Sequence, residues 1–194
     1  MRQSSVNSMR DTDCQKFICA RKVLRSCLDF FSKCDILLCN FSQMEVCSML
    51  RPFTADDRAI YVQMAHDFYR SEACDHVIPD AYLERTADSV LQGNPMAAIY
   101  LFEKDGQSAG YVLLAMTWSQ EGGGLTIWVD ALYLLPQFRG QGLATDMFHQ
   151  LRTLYPNAAR FRLEIAPGNL RAKALYERMG YETLNYQQLV LEIG

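Results

Sequence analysis

The chain contains few of the residues that build metal sites and disulfide frameworks. It has three histidines and seven cysteines, and six of the cysteines lie within the first 48 residues, where there is no histidine. No two cysteines have the C-x-x-C spacing typical of zinc ligands, which argues against a zinc site in this region. We expect a protein that binds no metal.

Long apolar runs are also missing from the N-terminal region. Arg21, Lys22, Arg25 and Lys33 interrupt its apolar segments, which argues against a signal peptide or a membrane-spanning helix. The remainder of the chain has the composition of a cytosolic enzyme, and disulfide frameworks are rare in that compartment. The sequence therefore predicts a cytoplasmic protein with no membrane partner.

Composition and charge divide the chain near Met49. Residues 1–48 hold seven Lys and Arg against five Asp and Glu, whereas residues 49–194 hold twelve against seventeen, a net charge of −5. We predict one domain over residues 49–194 and an N-terminal extension, poorly structured or not native, over residues 1–48. Two alternatives stay open for the extension: an amphipathic helix that includes Phe30 and Phe31, and upstream sequence translated ahead of a natural start at Met49. The acidic charge of the domain argues against nucleic acid as a partner.

The most informative segment is a glycine-containing loop at Gln137–Ala144. It follows Leu125–Leu135, a run rich in β-branched and aromatic residues that indicates a buried strand. The segment after the loop has apolar residues at helical spacing. Gly140 and Gly142 have no Cβ, so the backbone can turn tightly and its N–H groups can approach a ligand closely. Together with the positive end of the following helix, the loop predicts a binding site for phosphate.

Two common nucleotide-binding patterns do not fit this loop. It lacks the Lys-Ser/Thr pair of a P-loop, and Thr145 stands where the dinucleotide pattern G-x-G-x-x-G needs its third glycine. The phosphate site therefore belongs to another class of protein.

A second motif lies further along the chain, where Asn169 leads into a segment of helical spacing. With both motifs in this order, the chain resembles the GNAT superfamily of acyl-CoA-dependent N-acetyltransferases. The first family pattern, Gln/Arg-x-x-Gly-x-Gly/Ala, is matched by Gln137-Phe138-Arg139-Gly140-Gln141-Gly142. The second, Asn-x-x-Ala-x-x-Leu-Tyr-x-x-x-Gly-Phe/Tyr, is matched by Asn169, Ala172, Leu175, Tyr176, Gly180 and Tyr181. The resemblance is strong over residues 124–192 and weaker over residues 49–123.

That resemblance implies a fold and an activity. The fold is the mixed α/β fold of acyl-CoA N-acyltransferases. The activity is transfer of acetyl from acetyl-CoA to a primary amine of a small molecule or peptide, by direct attack in a ternary complex and without a metal. A non-catalytic acyl-CoA-binding regulatory module is the alternative, and a homodimer remains open.

The resemblance also implies which residues hold the co-substrate. Backbone groups at Leu132, Tyr133 and Leu134 would bind the pantetheine arm like an added strand, and the N–H near Leu134 would stabilise the oxyanion. Asn169 is either a helix N-cap or a contact to CoA, and the two roles are compatible. The implied cofactor-binding set is Leu132, Tyr133, Leu134, Gln137, Arg139, Gly140, Gln141, Gly142, Leu143, Ala144 and Asn169.

Two side chains are the candidate acid and base. Tyr176 coincides with the tyrosine of the second motif, and a phenol with a pKa of about 10 is protonated at neutral pH, as the acid for the departing thiolate must be. The alternative role of Tyr176 is packing on the sheet. Asp130 precedes Leu134 by four residues on one strand, so by period two both would point to the same face; it could instead orient the acceptor ammonium or pair with an arginine. The reserve candidates for the base are Glu164, Glu121 and His76.

The remaining pattern is mixed α/β, with strands and helices interleaved. Helices are predicted over residues 55–71 and after Pro79. The resemblance implies that these helices and their loop form one wall of the acceptor pocket. The candidate pocket residues are Trp118, Ser119, Glu121, Tyr82 and Asp75. The other predicted strands are Leu50–Phe53, Ala97–Phe102, Gly110–Ala115, Ala159–Ile165 and Leu184–Ile193.

Overall fold

The computed structural model describes residues 49–74 and 76–193. The N-terminal extension expected at residues 1–48 lies outside these described residues, and so does Asp75. The domain boundary at Met49 therefore stays a prediction.

In the part of the chain that the structure describes, five strands form one mixed sheet. They are β1 (Met49–Pro52), β2 (Ala97–Lys104), β3 (Gln107–Ser119), β4 (Gly124–Leu134) and β5 (Ala158–Leu163). The order of the strands in the sheet is the same as their order in the chain. The first four strands pair antiparallel, and β5 pairs parallel to β4.

Within the described residues, four α-helices pack against this sheet. They are α1 (Arg58–Tyr69), α2 (Asp80–Leu91), α3 (Leu143–Leu154) and α4 (Leu170–Arg178). Tyr61 and Met64 of α1 are buried in one apolar cluster with Tyr111 of β3, whereas Met147 and Leu151 of α3 are buried in a second cluster. Each such side chain stabilises the fold by roughly 1.5–3 kcal/mol. The mixed α/β fold expected from the sequence is confirmed.

One extra residue interrupts β4. Val129 and Ala131 pair with adjacent residues of β3, so Asp130 has no partner on that strand and forms a β-bulge. The bulge reverses the alternation of side chains, since Val129 packs into the α3 cluster and Ala131 into the α1 cluster. One inserted residue shifts the parity of the strand, so period two does not fix the face of Asp130 relative to Leu134, and the expectation that they share a face stays a prediction.

Two elements differ from the sequence-based expectation. The helix expected over residues 55–71 begins as a 3₁₀ turn at Ala55–Asp57, before α1 starts. The strand expected at Leu184–Ile193 has no regular secondary structure, and Leu189 and Ile193 are 95% and 93% exposed. A strand needs a buried face as well as the right composition, and residues 184–193 are exposed.

A buried carboxylate joins β1 to the start of α1. Asp57 is 6% exposed and accepts hydrogen bonds from both Nη atoms of Arg51, at 2.7 and 2.8 Å. It also accepts the backbone N–H and the hydroxyl of Thr54, at 2.9 and 2.7 Å. The hydrogen bonds from Arg51 lower the pKa of Asp57 from 3.8 to about 2, although burial opposes them.

Acid should therefore destabilise the fold through Asp57. Because its pKa is lower in the folded chain than in the unfolded chain, Asp57 stabilises the fold above about pH 4 and loses that contribution as the pH falls towards about 2. A pKa difference of this size corresponds to about 2 kcal/mol. We expect Asp57→Asn to lower the free energy of unfolding at pH 7 by about 2 kcal/mol, measured by urea denaturation.

Asp88→Asn is the matched control. Asp88 forms an ion pair with Arg58 at 2.7 Å, and both side chains are more than one-third exposed. Exposed ion pairs contribute little to stability, so this variant should unfold close to the wild type. Equal losses in the two variants would contradict the role assigned to Asp57.

Candidate functional site

A cleft of about 1100 Å³ opens where β4 and β5 part. The two strands pair as far as Val129 and Leu163, and the residues that follow, Asp130–Leu134 and Glu164–Ile165, line the cleft. The loop after β4 and the start of α4 line it as well. The cleft therefore brings both sequence motifs to one place.

The edge of β4 that faces the cleft has no strand partner. The N–H of Leu135 donates to the carbonyl of Ala109 at 2.9 Å, and successive residues of a strand direct their backbone groups to opposite sides. Leu132 and Leu134 therefore direct their N–H and C=O groups away from β3, to a side where no strand pairs with them in the described part of the chain. Tyr133 directs its backbone to β3. Of the three expected pantetheine contacts, Leu132 thus offers its N–H and C=O to the cleft and Leu134 its N–H, because the Leu134 carbonyl accepts a hydrogen bond from Arg139.

The glycine loop has a shape suited to an anion. Gly140 and Gly142 have φ angles of 79° and 82°, in the left-handed region that glycine adopts without strain. Gly142 is the N-cap of α3, and a Cβ on it would meet no atom within 4 Å. The space beside the helix N-terminus is therefore open. Unpaired N–H groups and the helix dipole make such a space suitable for phosphate.

Polar side chains hold the loop in this shape. Nε of Arg139 donates to the carbonyl of Leu134 at 2.8 Å, and its guanidinium lies 5.4 Å from the ring centroid of Tyr133. Nε2 of Gln141 donates to the carbonyl of Gln137 at 2.8 Å. Gln137 and Gln141 do not line the cleft, so this hydrogen bond supports the loop from outside it. The expected loop residues that line the cleft are Arg139, Gly140, Gly142, Leu143 and Ala144.

Asn169 and Tyr176 of the second motif both line the cleft. Oδ1 of Asn169 accepts the N–H of Ala172 at 3.1 Å, so the expected N-cap is confirmed, while a contact to CoA stays a prediction. Tyr176 is 9% exposed and packs at a right angle on Phe148, with ring centroids 5.7 Å apart. Burial raises the pKa of Tyr176 to about 12. The residue thus packs in the core and keeps a protonated hydroxyl at neutral pH.

Asp130 and Glu164 lie where β4 and β5 part, because each directly follows one residue of the last β4–β5 pair. Both line the cleft. The protein atoms around Asp130, and then the negative charge of Glu164, raise the pKa of Asp130. No hydrogen bond or ion pair engages Asp130 within residues 49–74 and 76–193. A carboxylate in this state is suited to accept a proton or to bind an ammonium group.

A further wall of the cleft was missed by sequence reasoning. Phe68 and Arg70–Ala73, at the end of α1 and in the turn after it, line the cleft. The turn carries no motif, so only its position in the fold identifies it. The expected residues that do not line the cleft are Trp118, Ser119, Glu121, Tyr82 and His76. Trp118, Ser119 and Glu121 lie at the β3–β4 turn, which is at the opposite end of β4 from the cleft.

The described residues include no group of three or more His, Cys, Asp and Glu side chains that could hold a metal ion. In the same part of the chain, no helix is long and apolar enough to cross a membrane. The expected absence of a metal, the cytoplasmic location and the homodimer stay predictions.

Known proteins resemble parts of this chain. It is 29% identical to the thialysine N-ε-acetyltransferase of Mus musculus over 76 residues. This match covers 38% of this chain and 42% of that protein. It is 35% identical to an uncharacterized N-acetyltransferase of Methanocaldococcus jannaschii over 85 residues. This match covers 42% of this chain and 51% of that protein. The chain thus spans about half the length of the curated relatives it matches.

A solved structure of the aminoglycoside N-acetyltransferase AAC(6')-Iy in complex with CoA has a similar fold. The TM-score is 0.62 at 13% identity, over 81% of this chain and 100% of that chain. At this identity the likeness shows the fold alone.

The family model for GNAT acetyltransferases matches residues 61–181, which is more than half of the chain. The matched region contains β4, the glycine loop, α3 and α4, so it includes the cleft that the geometry identifies. The expected fold and family are confirmed. The chain belongs to the acetyltransferase (GNAT) family.

Proposed function

We propose that the protein acetylates a primary amine of a small molecule or peptide, which attacks acetyl-CoA directly in a ternary complex. The observation that supports this proposal is the presence of Tyr176, Asp130 and the free edge of β4 in one cleft. A proton donor, a carboxylate and backbone N–H groups are the groups that amide formation from a thioester needs. Holding both reactants in one cleft contributes the entropic part of the acceleration.

The cleft suits acetyl-CoA, which supplies the activated acetyl thioester when it is bound. The N–H groups from Gly140 to Ala144 would hold its diphosphate at the start of α3. Leu132 and Leu134 offer backbone groups to the amides of the pantetheine arm, as a neighbouring strand would. Asn169 caps α4 through its oxygen, which leaves its amide nitrogen for CoA.

The backbone N–H of Leu134 is our candidate for the oxyanion donor. It faces the cleft and has no competing strand carbonyl in the part of the chain that the structure describes. One such donor, aimed at the oxygen on which negative charge develops, typically lowers the barrier by roughly 3 kcal/mol.

Tyr176 is the proposed acid. After the C–N bond has formed, the oxyanion collapses and the C–S bond breaks, so the sulfur leaves as a thiolate that needs a proton. The phenol of Tyr176 can supply it, because a hydroxyl with a pKa of about 12 is fully protonated at neutral pH. The resulting thiol is neutral and does not attack the new amide.

Asp130 is the proposed base. An amine must lose a proton as it forms the amide, and the unpaired carboxylate of Asp130 can take it directly or through a water molecule. The raised pKa of Asp130 brings it closer to neutrality, where a base is most effective. The same carboxylate can orient the acceptor ammonium before that proton is lost.

Both acidic and basic side chains line the cleft, with Arg139, Arg171 and Arg178 among the basic ones, and its carboxylates favour a cationic acceptor. Asp130, Glu164 and Glu72 line it, and carboxylates attract protonated amines. Arg70 also lines this part, but it is paired with Asp80 at 3.2 Å. The names of two similar proteins, a thialysine and an aminoglycoside acetyltransferase, also specify amine acceptors. We therefore favour a cationic amine over an acidic peptide.

An acceptor screen tests this proposal. CoA release should be followed with a thiol reagent over diamines, amino acids, aminoglycosides and short peptides, and the acetylated product identified by mass. We expect kcat/KM to be higher for cationic amines than for neutral or acidic amines of the same size. A protein that binds acetyl-CoA and acetylates no amine in such a panel would refute the proposal.

Replacing the proposed acid should slow turnover without removing acetyl-CoA binding. Tyr176→Phe keeps the ring that packs on Phe148 and removes the proton donor, so kcat should fall about 10²- to 10⁴-fold. Tyr155→Phe is the matched control, because the Tyr155 hydroxyl bonds that of Tyr100 at 3.0 Å outside the cleft. An unchanged kcat in Tyr176→Phe would leave this residue with packing alone.

Replacing the proposed base should change the pH profile. An active base must be deprotonated, so kcat at saturating acceptor should rise with pH through the pKa of Asp130, which lies above its ordinary value of 3.8. Asp130→Asn should remove this limb and lower kcat about 10²-fold or more. Glu164→Gln should move the limb to lower pH, because it removes the negative charge that raises this pKa. If kcat of Asp130→Asn still rises with pH in the same range, the titrating group is not Asp130, and its role as the base is refuted.

A further inference from the structure

Arg171 lies against the glycine loop although it belongs to neither family pattern. Its Nη2 atom is 3.6 Å from the position that a Cβ on Gly140 would occupy. Arg171, Gly140 and Gly142 all line the cleft. The guanidinium therefore reaches from the first turn of α4 to the loop that precedes α3.

The fold gives no reason for a cation at this position. Arg171 is the second residue of α4, where the positive end of the helix dipole disfavours positive charge. The first turn of α4 contains no acidic residue that would compensate. Arg171 also has no hydrogen bond and no ion pair within the described parts of the chain.

The other arginine of the loop is used differently. Arg139 donates its Nε to the carbonyl of Leu134 and lies over the ring of Tyr133, so it supports the shape of the loop. Arg171 makes no such internal contact, and all its N–H donors can point to a ligand. A planar guanidinium binds phosphate oxygens through two parallel hydrogen bonds.

We propose that Arg171 binds the diphosphate of CoA from the α4 side, across from the N–H groups of the glycine loop. The diphosphate would then lie between two helix N-termini, those of α3 and α4, with the guanidinium of Arg171 beside it. This inference rests on the proposed acetyl-CoA dependence of the enzyme and is independent of the acceptor and of the roles of Tyr176 and Asp130.

The test compares three acetyl donors on the full chain. Calorimetry should give Kd values of wild type and Arg171→Gln for acetyl-CoA and for acetyl-dephospho-CoA, which keeps the diphosphate but lacks the 3'-phosphate. We expect both affinities to fall by the same factor, about 10- to 100-fold, as for a lost charge-assisted hydrogen bond. With S-acetylpantetheine, which has no diphosphate, kcat/KM should be the same in both proteins.

Two further variants control for charge and for folding. Lys173→Gln makes the same change of charge on the same helix, but Lys173 pairs with Glu177 at 3.9 Å and does not line the cleft, so its Kd should match that of the wild type. Arg171→Lys keeps the charge without the two-pronged geometry and should bind with intermediate affinity. The melting temperature of Arg171→Gln should not fall, because the substitution removes a positive charge from the N-terminal end of α4, where the helix dipole disfavours it.

Two results would overturn the proposal. An unchanged affinity for acetyl-CoA in Arg171→Gln would show that Arg171 does not contact the co-substrate. A loss confined to acetyl-CoA, with acetyl-dephospho-CoA unaffected, would assign Arg171 to the 3'-phosphate instead of the diphosphate.

Discussion

The site depends on the point where the pairing of β4 and β5 ends. Beyond Val129 and Leu163 the edge of β4 has no strand partner in the described part of the chain. Backbone groups without a partner are costly when they are removed from water, so this edge favours an extended ligand that can pair with it. Met147 of α3 and Tyr176 of α4 belong to one apolar cluster with the sheet. Their packing fixes the two helix N-termini beside the gap.

Charge is distributed unevenly along this edge. Leu134 and Asp130 are four residues apart, which in a strand corresponds to about 13 Å. Arg139 and Arg171 lie near the Leu134 end, whereas Asp130 and Glu164 lie where the strands part. Phosphates bound beyond Leu134 and a cationic acceptor at the acidic end would match this order.

Tyr176 illustrates how packing and chemistry coincide at one residue. Its ring packs against the rings of Phe148 and Tyr181, with a centroid distance of 5.7 Å to each, which fixes its orientation. The burial that results from this packing also raises its pKa, so the hydroxyl is protonated at neutral pH, as the proposed acid must be. A change of the core around Tyr176 would therefore alter both the packing and the pKa of this residue.

The sequence by itself determined the features that depend on local backbone chemistry. Positive φ at Gly142 and the cap at Asn169 are local requirements, and with Tyr176 in register they identified the family and the fold class; most of the cofactor residues that they predicted line the cleft. The β-bulge at Asp130, the lack of a strand at Leu184–Ile193 and the position of Arg171 beside the loop were decided by tertiary structure. Strand parity and pairing depend on the register of a partner distant in sequence, which local composition does not encode.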